Sequence, residues 1–379
     1  MGIVRKAERI EAVVEPVETG LLTVDLAALA ANWRKLASLA PGAECGAVVK
    51  ADAYGLGQAA VMRALARAGC ETFFVANLLE GETARALAPN ADVYVLDGIA
   101  PGCGPRLAAA GLRPCIGSFA ELGEWTALGA ALGRPLEAAI HFDTGMNRLG
   151  FSPADAAEVA EAATGVAPTL VMSHFLSSQL PDAPVNARQI ADFLAARAYF
   201  PGVAGSMAAS SGVFLPQRPH FDLVRPGYAL YGGNPTPGAA NPMAPVASLS
   251  ARIISVRDLA VGETVGYDGV WAASRPTRAA TIGGGYADGL PVSATAAPGK
   301  AAGEAVVGGL RCPFIGRVSM DYIVLDVTDA PESAAQRGDW VELLGETIGV
   351  EDLATSARTI GYEVLTRLGR RYARRYVGG

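Results

Sequence analysis

Histidine is scarce: His141, His174 and His220 are the only three in 379 residues. They stand far apart and lack the spacing of metal ligands, which argues against a zinc centre or any other histidine-built metal site. Cysteine is nearly as rare, with Cys45, Cys70, Cys103, Cys115 and Cys312 making an odd set of five that contains no C-x-x-C pair. That pattern predicts reduced core thiols and excludes a disulfide scaffold. No run of about 18 apolar residues occurs, and the first 19 residues mix Arg5, Lys6, Glu8, Arg9, Glu11, Glu15 and Glu18 into what would have to be an apolar leader. Both features predict a cytoplasmic protein with no membrane contact. Positive charge is in deficit, the net charge being -6, which gives no support to nucleic-acid binding. The one basic cluster, 367–375, reads as the last turns of a helix, where cations complement the macrodipole, or as a small nucleic-acid patch. A dinucleotide-binding loop is also excluded, because Gly283-Gly284-Gly285 is followed by Asp288 where the third glycine belongs.

Apolar residues make up 51% of the chain and charged ones 18%, enough to bury a large core divided between two domains. Strands are predicted at 43–50, 71–76, 92–98, 112–117, 136–143, 169–174, 203–209 and 222–225, with helices such as 119–132 and 184–199 between them. Eight strand-then-helix repeats predict an α/β fold, a parallel (β/α)8 TIM-type barrel. Lys50, Asn77, Asp97, Arg148, His174, Ser210 and Arg225 fall at the strand exits, the face where barrel enzymes carry their active sites. After Gly238-Ala239-Ala240-Asn241-Pro242 the texture changes to alternating strands and turns, as at 251–256, 277–282, 323–327 and 340–344. This predicts a C-terminal mainly β domain. A β-branched segment at 21–24 precedes a helix at Leu26–Leu39 with Asp25 as its N-cap. The chain therefore divides into a tail at 1–19, a barrel at 20–245 and a β domain at 246–379.

Lys50 ends the run Ala47-Val48-Val49-Lys50 and opens the loop Ala51-Asp52-Ala53-Tyr54-Gly55-Leu56-Gly57. At the end of a buried strand a lysine is partly desolvated, which disfavours the ammonium and leaves a nucleophilic amine able to form a Schiff base. Taken alone it would read as the point where a strand meets water, since lysine is seldom buried. The flanking residues decide: the segment resembles the pyridoxal-phosphate lysine motif of the alanine racemase family, V-K-A-[ND]-A-Y-G-x-G. Leu56 departs from the histidine common there, implying an altered loop contact with the chemistry retained. The resemblance extends from about residue 20 nearly to the end of the chain. It implies pyridoxal 5'-phosphate on Lys50 and a β domain that also takes in the segment 20–25.

Four further segments carry the resemblance. His141-Phe142-Asp143-Thr144-Gly145-Met146-Asn147-Arg148-Leu149-Gly150 is similar to the family run ending D-T-G-M-x-R-L-G. There Arg148 would meet the cofactor's phenolic oxygen and the substrate carboxylate, work that suits a permanent forked cation; by itself it would read as a solvated charge. His141 stands where many members carry a carbamylated lysine, so a bound anion or the neutral imidazole takes that place, or the residue is an ordinary packed histidine. The segment 171–175 would set His174 beside the pyridine ring. Ala208-Ala209-Ser210-Ser211-Gly212 and Val224-Arg225-Pro226-Gly227-Tyr228 resemble the phosphate loop and the pyridine-nitrogen arginine. Ser210 or Ser211, the amides of Gly227 and Tyr228, Tyr54 and Tyr362 would hold the phosphate. A guanidinium at Arg225 does not readily take a proton from the ring nitrogen, and this would steer the chemistry toward proton exchange.

In the β domain, the segments around Tyr267, Tyr286 and Met320-Asp321 also match. The resemblance makes Tyr267 the second catalytic base, sets Tyr286 at the substrate entrance, and puts the Met320 amide and Asp321 beside the carboxylate site. It implies a homodimer with shared active sites, since the family's β domain covers the partner's barrel mouth. The function implied is racemisation of L-alanine and D-alanine by two bases, Lys50 for the D and Tyr267 for the L enantiomer, with D-alanine supplied for peptidoglycan or used catabolically. The alternatives are a broader-specificity amino-acid racemase, a non-catalytic pyridoxal-phosphate carrier resembling only the barrel, and a decarboxylase on the same architecture.

Overall fold

The computed structural model describes residues 19–296 and 302–379, so nearly all of the 1–19 tail lies outside the described residues. Gly46 interrupts the first barrel strand, leaving Glu44–Cys45 and Ala47–Val48. Thr72–Val75, Asp92–Val95, Arg113–Ile116, Glu137–His141, Ala167–Met172 and Ala204–Ser206 follow it in one parallel sheet, in chain order. Leu223–Val224 is the eighth strand and pairs in parallel with Glu44–Cys45. On its other side the Asp222 amide donates to Gly205 O at 3.0 Å and the Arg225 amide to Ala208 O at 2.8 Å, which closes the ring. The strands read as unbroken apolar runs because both faces are covered; all four residues of Thr72–Val75 are buried.

The predicted strands overrun the observed ones at their carboxyl ends. The first stops at Val48, two residues short of Lys50, because the chain turns left-handed: Ala51, Asp52, Ala53 and Tyr54 all have φ of 53° to 54°. Helix Leu26–Leu39 forms as predicted, with Asp25 Oδ1 accepting from the Ala27 and Ala28 amides at 2.9 Å. A cap of this kind is worth about 1 kcal/mol.

The second layer is a sheet of eight strands. Thr277–Gly283, Tyr322–Asp326, Leu310–Ile315, Glu304–Val307, Trp340–Leu344 and Ala247–Leu259 lie side by side in that order. Ala247–Leu259 bends at register shifts and also pairs with Thr277–Gly283, which turns these six strands into a closed antiparallel barrel. Gly20–Asp25 extends the sheet beside Ala247–Leu259, and Ala373–Val377 runs parallel to it at the edge. The basic cluster at 367–375 is therefore not the end of one helix. Helix Gly361–Arg367 stops, and the later arginines sit in a turn and a strand that pairs with the opposite end of the chain. Local charge pattern was overridden by long-range strand pairing. One apolar cluster runs continuously from the α/β barrel into the β domain. All five cysteines are free thiols, and four of them are buried.

Candidate active site

Two ends of the α/β barrel compete for attention. At the strand amino ends, a cleft of about 410 Å³ is lined in part by Asp92, Arg113 and Asp222, and these three are already paired: Arg113 with Asp92 and, at 2.8 Å, with Glu137, and Asp222 with Arg197 at 2.5 Å. The carboxyl ends differ, because there the polar groups are left with capacity to spare.

Lys50 opens the left-handed turn and is half-buried. Its amine is held below the usual lysine range, first by burial and then by the Arg148 guanidinium; Asp97 and Glu80 oppose the shift. A left-handed turn of L-residues costs roughly 1–2 kcal/mol per residue, so tertiary contacts must hold it. Asp52 Oδ1 accepts from the Gln58 amide at 2.7 Å, the Gly57 amide donates to Asp52 O at 2.8 Å, and Glu80 Oε1 accepts from the Ala51 amide at 2.8 Å. Leu56, the departure from the motif, is fully buried, and its carbonyl accepts from the Tyr376 hydroxyl at 3.1 Å.

An anion cradle faces this turn. Ser210, after the seventh strand, uses Oγ to accept from the Gly227 amide at 3.0 Å and the Ala229 amide at 3.1 Å. With both lone pairs used, its proton is left to donate. Gly227 and the short helix Tyr228–Tyr231 follow the eighth strand, the position from which barrel enzymes hold phosphate groups. Tyr54 reaches across from the lysine turn: its ring stacks on Tyr231 at 4.7 Å and lies 6.2 Å from Tyr362. Tyr362 in turn stacks on Tyr228 at 3.9 Å. A Cβ at Gly227 would fall on the Tyr54 hydroxyl, so any larger residue there has to displace the tyrosine.

Arg225 lies buried at the exit of the eighth strand. Nη1 donates to Ser206 Oγ at 2.5 Å and Nη2 to Ser173 O at 2.7 Å, which holds the guanidinium by its two terminal nitrogens and leaves Nε–H among its three uncommitted donors. Burial lowers its pKa to about 10, so it stays a cation at neutrality. His174 and His141 are pushed down to about 3 and about 4, by burial first and by Arg225 next; both are neutral imidazoles at neutral pH. They line a gap of about 10 Å³ together with Arg148 and Ser173, room for about one water. The Arg148 amide donates to Asp143 Oδ2 at 3.1 Å, and among the described residues no carboxylate pairs with its guanidinium.

Tyr267, Met320 and Asp321 form a second group, with Gly266, Ser319 and Tyr322, around a shallow cavity of about 470 Å³ that no residue of the α/β barrel lines. The Tyr286 turn is joined to it through its amide, which donates to Ser319 O at 3.0 Å. Tyr267 is 70% exposed, Met320 52%, Tyr322 49% and Tyr286 44%. The Asp321 carboxylate accepts from Arg371 at 2.8 Å. Within one chain, then, the predicted site residues fall into two groups: Lys50, Tyr54, Arg148, His174, Ser210, Arg225, Gly227, Tyr228 and Tyr362 at the barrel mouth, and the other four on the β domain.

Comparison with known proteins decides the family. Residues 24–235 match the alanine racemase N-terminal domain and residues 246–376 the alanine racemase C-terminal domain. The alanine racemase of Methylobacterium nodulans is 52% identical, over 94% of this chain and 96% of its own length. The chain belongs to the alanine racemase family. A catabolic alanine racemase of Mesorhizobium japonicum is 46% identical, over 97% of this chain and 96% of its own. Among solved structures, the Bartonella henselae alanine racemase with covalently bound pyridoxal phosphate superposes with a TM-score of 0.89 at 36% identity, covering 95% of this chain and 99% of that one.

Several residues that build this alanine racemase site escaped the sequence reading. Glu80 and Gln58 brace the lysine turn, Ser206 and Ser173 hold Arg225, and Glu351 accepts from the Tyr228 hydroxyl at 2.9 Å. Only Glu80 had a signal, the Asn77-x-x-Glu80 spacing of a capping box. Among the described residues no cluster of three or more His, Cys, Asp or Glu could hold a metal ion, and no helix is long and apolar enough to cross a membrane.

Proposed function

We propose that the protein interconverts L-alanine and D-alanine with pyridoxal phosphate as cofactor, in a homodimer whose sites join one subunit's barrel to the other's β domain. The observation that carries this reading is the meeting of Tyr54, from the lysine turn, with Gly227 of the anion cradle. A depressed-pKa amine and a phosphate cradle at one barrel mouth are the two anchors this cofactor requires. When bound, pyridoxal phosphate supplies an aldehyde for the amine and a ring that withdraws electrons from the Cα–H bond.

Ser210, the Tyr228 amide, Tyr54 and Tyr362 would hold the phosphate, with the Gly227 amide turning to it from Ser210 Oγ, its partner at 3.0 Å. Arg225 would direct Nε–H at the ring nitrogen, and His174 would pack beside the ring. Arg148, whose guanidinium pairs with no carboxylate among the described residues, would take the substrate carboxylate, with the Met320 amide and Asp321 of the partner subunit bordering it and Tyr286 of the partner subunit at the entrance. Racemisation removes a proton from one face of Cα and returns one to the other, which requires two bases. Lys50 would serve the D enantiomer and Tyr267 of the partner subunit the L enantiomer. An exposed apolar and aromatic patch of this kind marks an interaction surface, and the shared site explains why Tyr267 stands apart from Lys50 within one chain.

Purified protein with pyridoxal phosphate, tested by chiral separation against single-enantiomer amino acids, should racemise alanine fastest. Racemisation of other amino acids at comparable rates would make it a broader-specificity racemase. Bound cofactor with no turnover, or release of carbon dioxide from lysine, ornithine or arginine, would overturn the reading.

A further inference from the structure

Glu80 is the third residue of helix Leu78–Leu87, after the N-cap Asn77, whose Oδ1 accepts from the Glu80 amide at 3.1 Å. In an ordinary capping box the glutamate would return to its own N-cap amide. Here it does not. Oε2 accepts from the Ala76 amide at 2.8 Å, at the exit of the second strand, and Oε1 from the Ala51 amide at 2.8 Å, the residue after Lys50. One carboxylate thus ties two neighbouring strand exits together. Buried Gln58 adds a second strap, donating to Glu80 O at 3.1 Å.

The same device recurs two strands on. Glu121 is the third residue of helix Phe119–Ala131, after the N-cap Ser118. Its Oε1 accepts from the Ile99 amide at 2.9 Å, and Oε2 accepts from the Gly117 amide at 3.1 Å and the Ser118 hydroxyl at 2.8 Å. It joins the exits of the third and fourth strands as Glu80 joins those of the first and second. The two copies differ in what they hold. Glu121 grips a loop between ordinary elements, whereas Glu80 grips the first amide of the left-handed turn, a backbone state that L-residues leave when nothing holds them.

We propose that Glu80 is the positioning residue of the reactive lysine: its carboxylate pins the left-handed turn to the second strand and so fixes where the Lys50 amine stands. This rests on the reading of Lys50 as the amine that carries pyridoxal phosphate. The Glu80 anion also opposes the burial and the Arg148 charge that lower the lysine, so it acts on the amine through both geometry and field.

Glu80→Gln keeps the shape but turns one acceptor oxygen into an NH2 group, so one of the two amides loses its partner. Glu121→Gln makes the same change where no lysine follows, and is the matched control. Cofactor-free protein is mixed with pyridoxal phosphate, attachment is followed by visible absorbance, and borohydride reduction with peptide mapping locates the label. Glu80→Gln should attach the cofactor at Lys50 at least about tenfold more slowly than the parent, the step expected from one lost hydrogen bond to a charged group. Glu121→Gln should stay within about twofold, on the same principle, while both lose melting temperature alike. Glu80→Asp keeps the charge with a shorter reach and should also be slow; it replaces Glu80→Gln in the comparison if that variant does not fold. Parental rates in the Glu80 variants, or equal slowing in Glu121→Gln, would overturn the proposal. A parent protein that attaches no cofactor at Lys50 would instead overturn the reading beneath it.

Discussion

Gly227→Ala probes the contact that joins the lysine turn to the anion cradle. A Cβ there would fall on the Tyr54 hydroxyl, 3.0 Å from Tyr54 Cζ and 3.3 Å from Val48 Cβ. The ring has nowhere to swing, since Tyr231 stacks on it at 4.7 Å and its backbone is locked in the left-handed turn. The substitution should therefore destabilise the cofactor-free protein by about 1–3 kcal/mol, the range for an overpacked site. Adding Tyr54→Phe removes the overlapping atom and leaves the nearest one at 3.0 Å, a distance that a small shift relieves. The double variant should recover at least about 1 kcal/mol, a coupling typical of residues in contact. Cofactor affinity should not recover. Losing the Tyr54 hydroxyl deprives the phosphate of a donor worth about 1.5–3 kcal/mol, which is roughly a 10- to 150-fold weaker dissociation constant. Urea denaturation of the cofactor-free forms measures the first quantity, and absorbance titration with pyridoxal phosphate the second. Strict additivity in stability would refute the contact. Parental affinity in the double variant would refute Tyr54 as a phosphate donor.

Four further outcomes are expected. Borohydride reduction of the loaded protein should label Lys50, and a label on Lys6, Lys35 or Lys300, the other three lysines, would be a direct contradiction. Mixing Lys50→Ala with Tyr267→Phe should restore activity through one intact shared site; no recovery after demonstrated subunit exchange would rule out sharing. By itself Tyr267→Phe should slow solvent deuterium exchange into L-alanine by about 100-fold or more and into D-alanine far less; equal losses would end the two-base assignment. Stability should fall on acidification, because unfolded histidines titrate near 6.5 while native His141 and His174 stay neutral down to about 4 and about 3. The unfolded chain binds more protons across that window, so stability is full above about 6.5 and declines as pH drops. His141→Asn should flatten the decline between about 6.5 and about 4, and urea midpoints against pH that keep the parental slope would exclude His141 as its source.

What was legible in the linear chain is what near neighbours impose. Apolar runs of strand length and helical spacing located all eight barrel strands and helix Leu26–Leu39, and Asp25 is visible as a cap because the amides that donate to it lie two and three residues away. The motifs around Lys50, Arg148, Ser210 and Arg225 placed those residues at strand exits for the same reason, since a strand end shows as a change from apolar to glycine-bearing and polar sequence. Tertiary structure decided whatever depends on distant partners. No local preference would turn Ala51 through Tyr54 left-handed; Glu80 supplies the acceptor from another helix. The arginines after 367 carry the signature of a helix end, yet residues 373–377 gain more by pairing with Gly20–Asp25 from the other end of the chain. Ring closure by Leu223–Val224 and the meeting of Tyr54 with Gly227 are likewise set by hydrogen bonds and packing across long separations, to which a periodic pattern is blind.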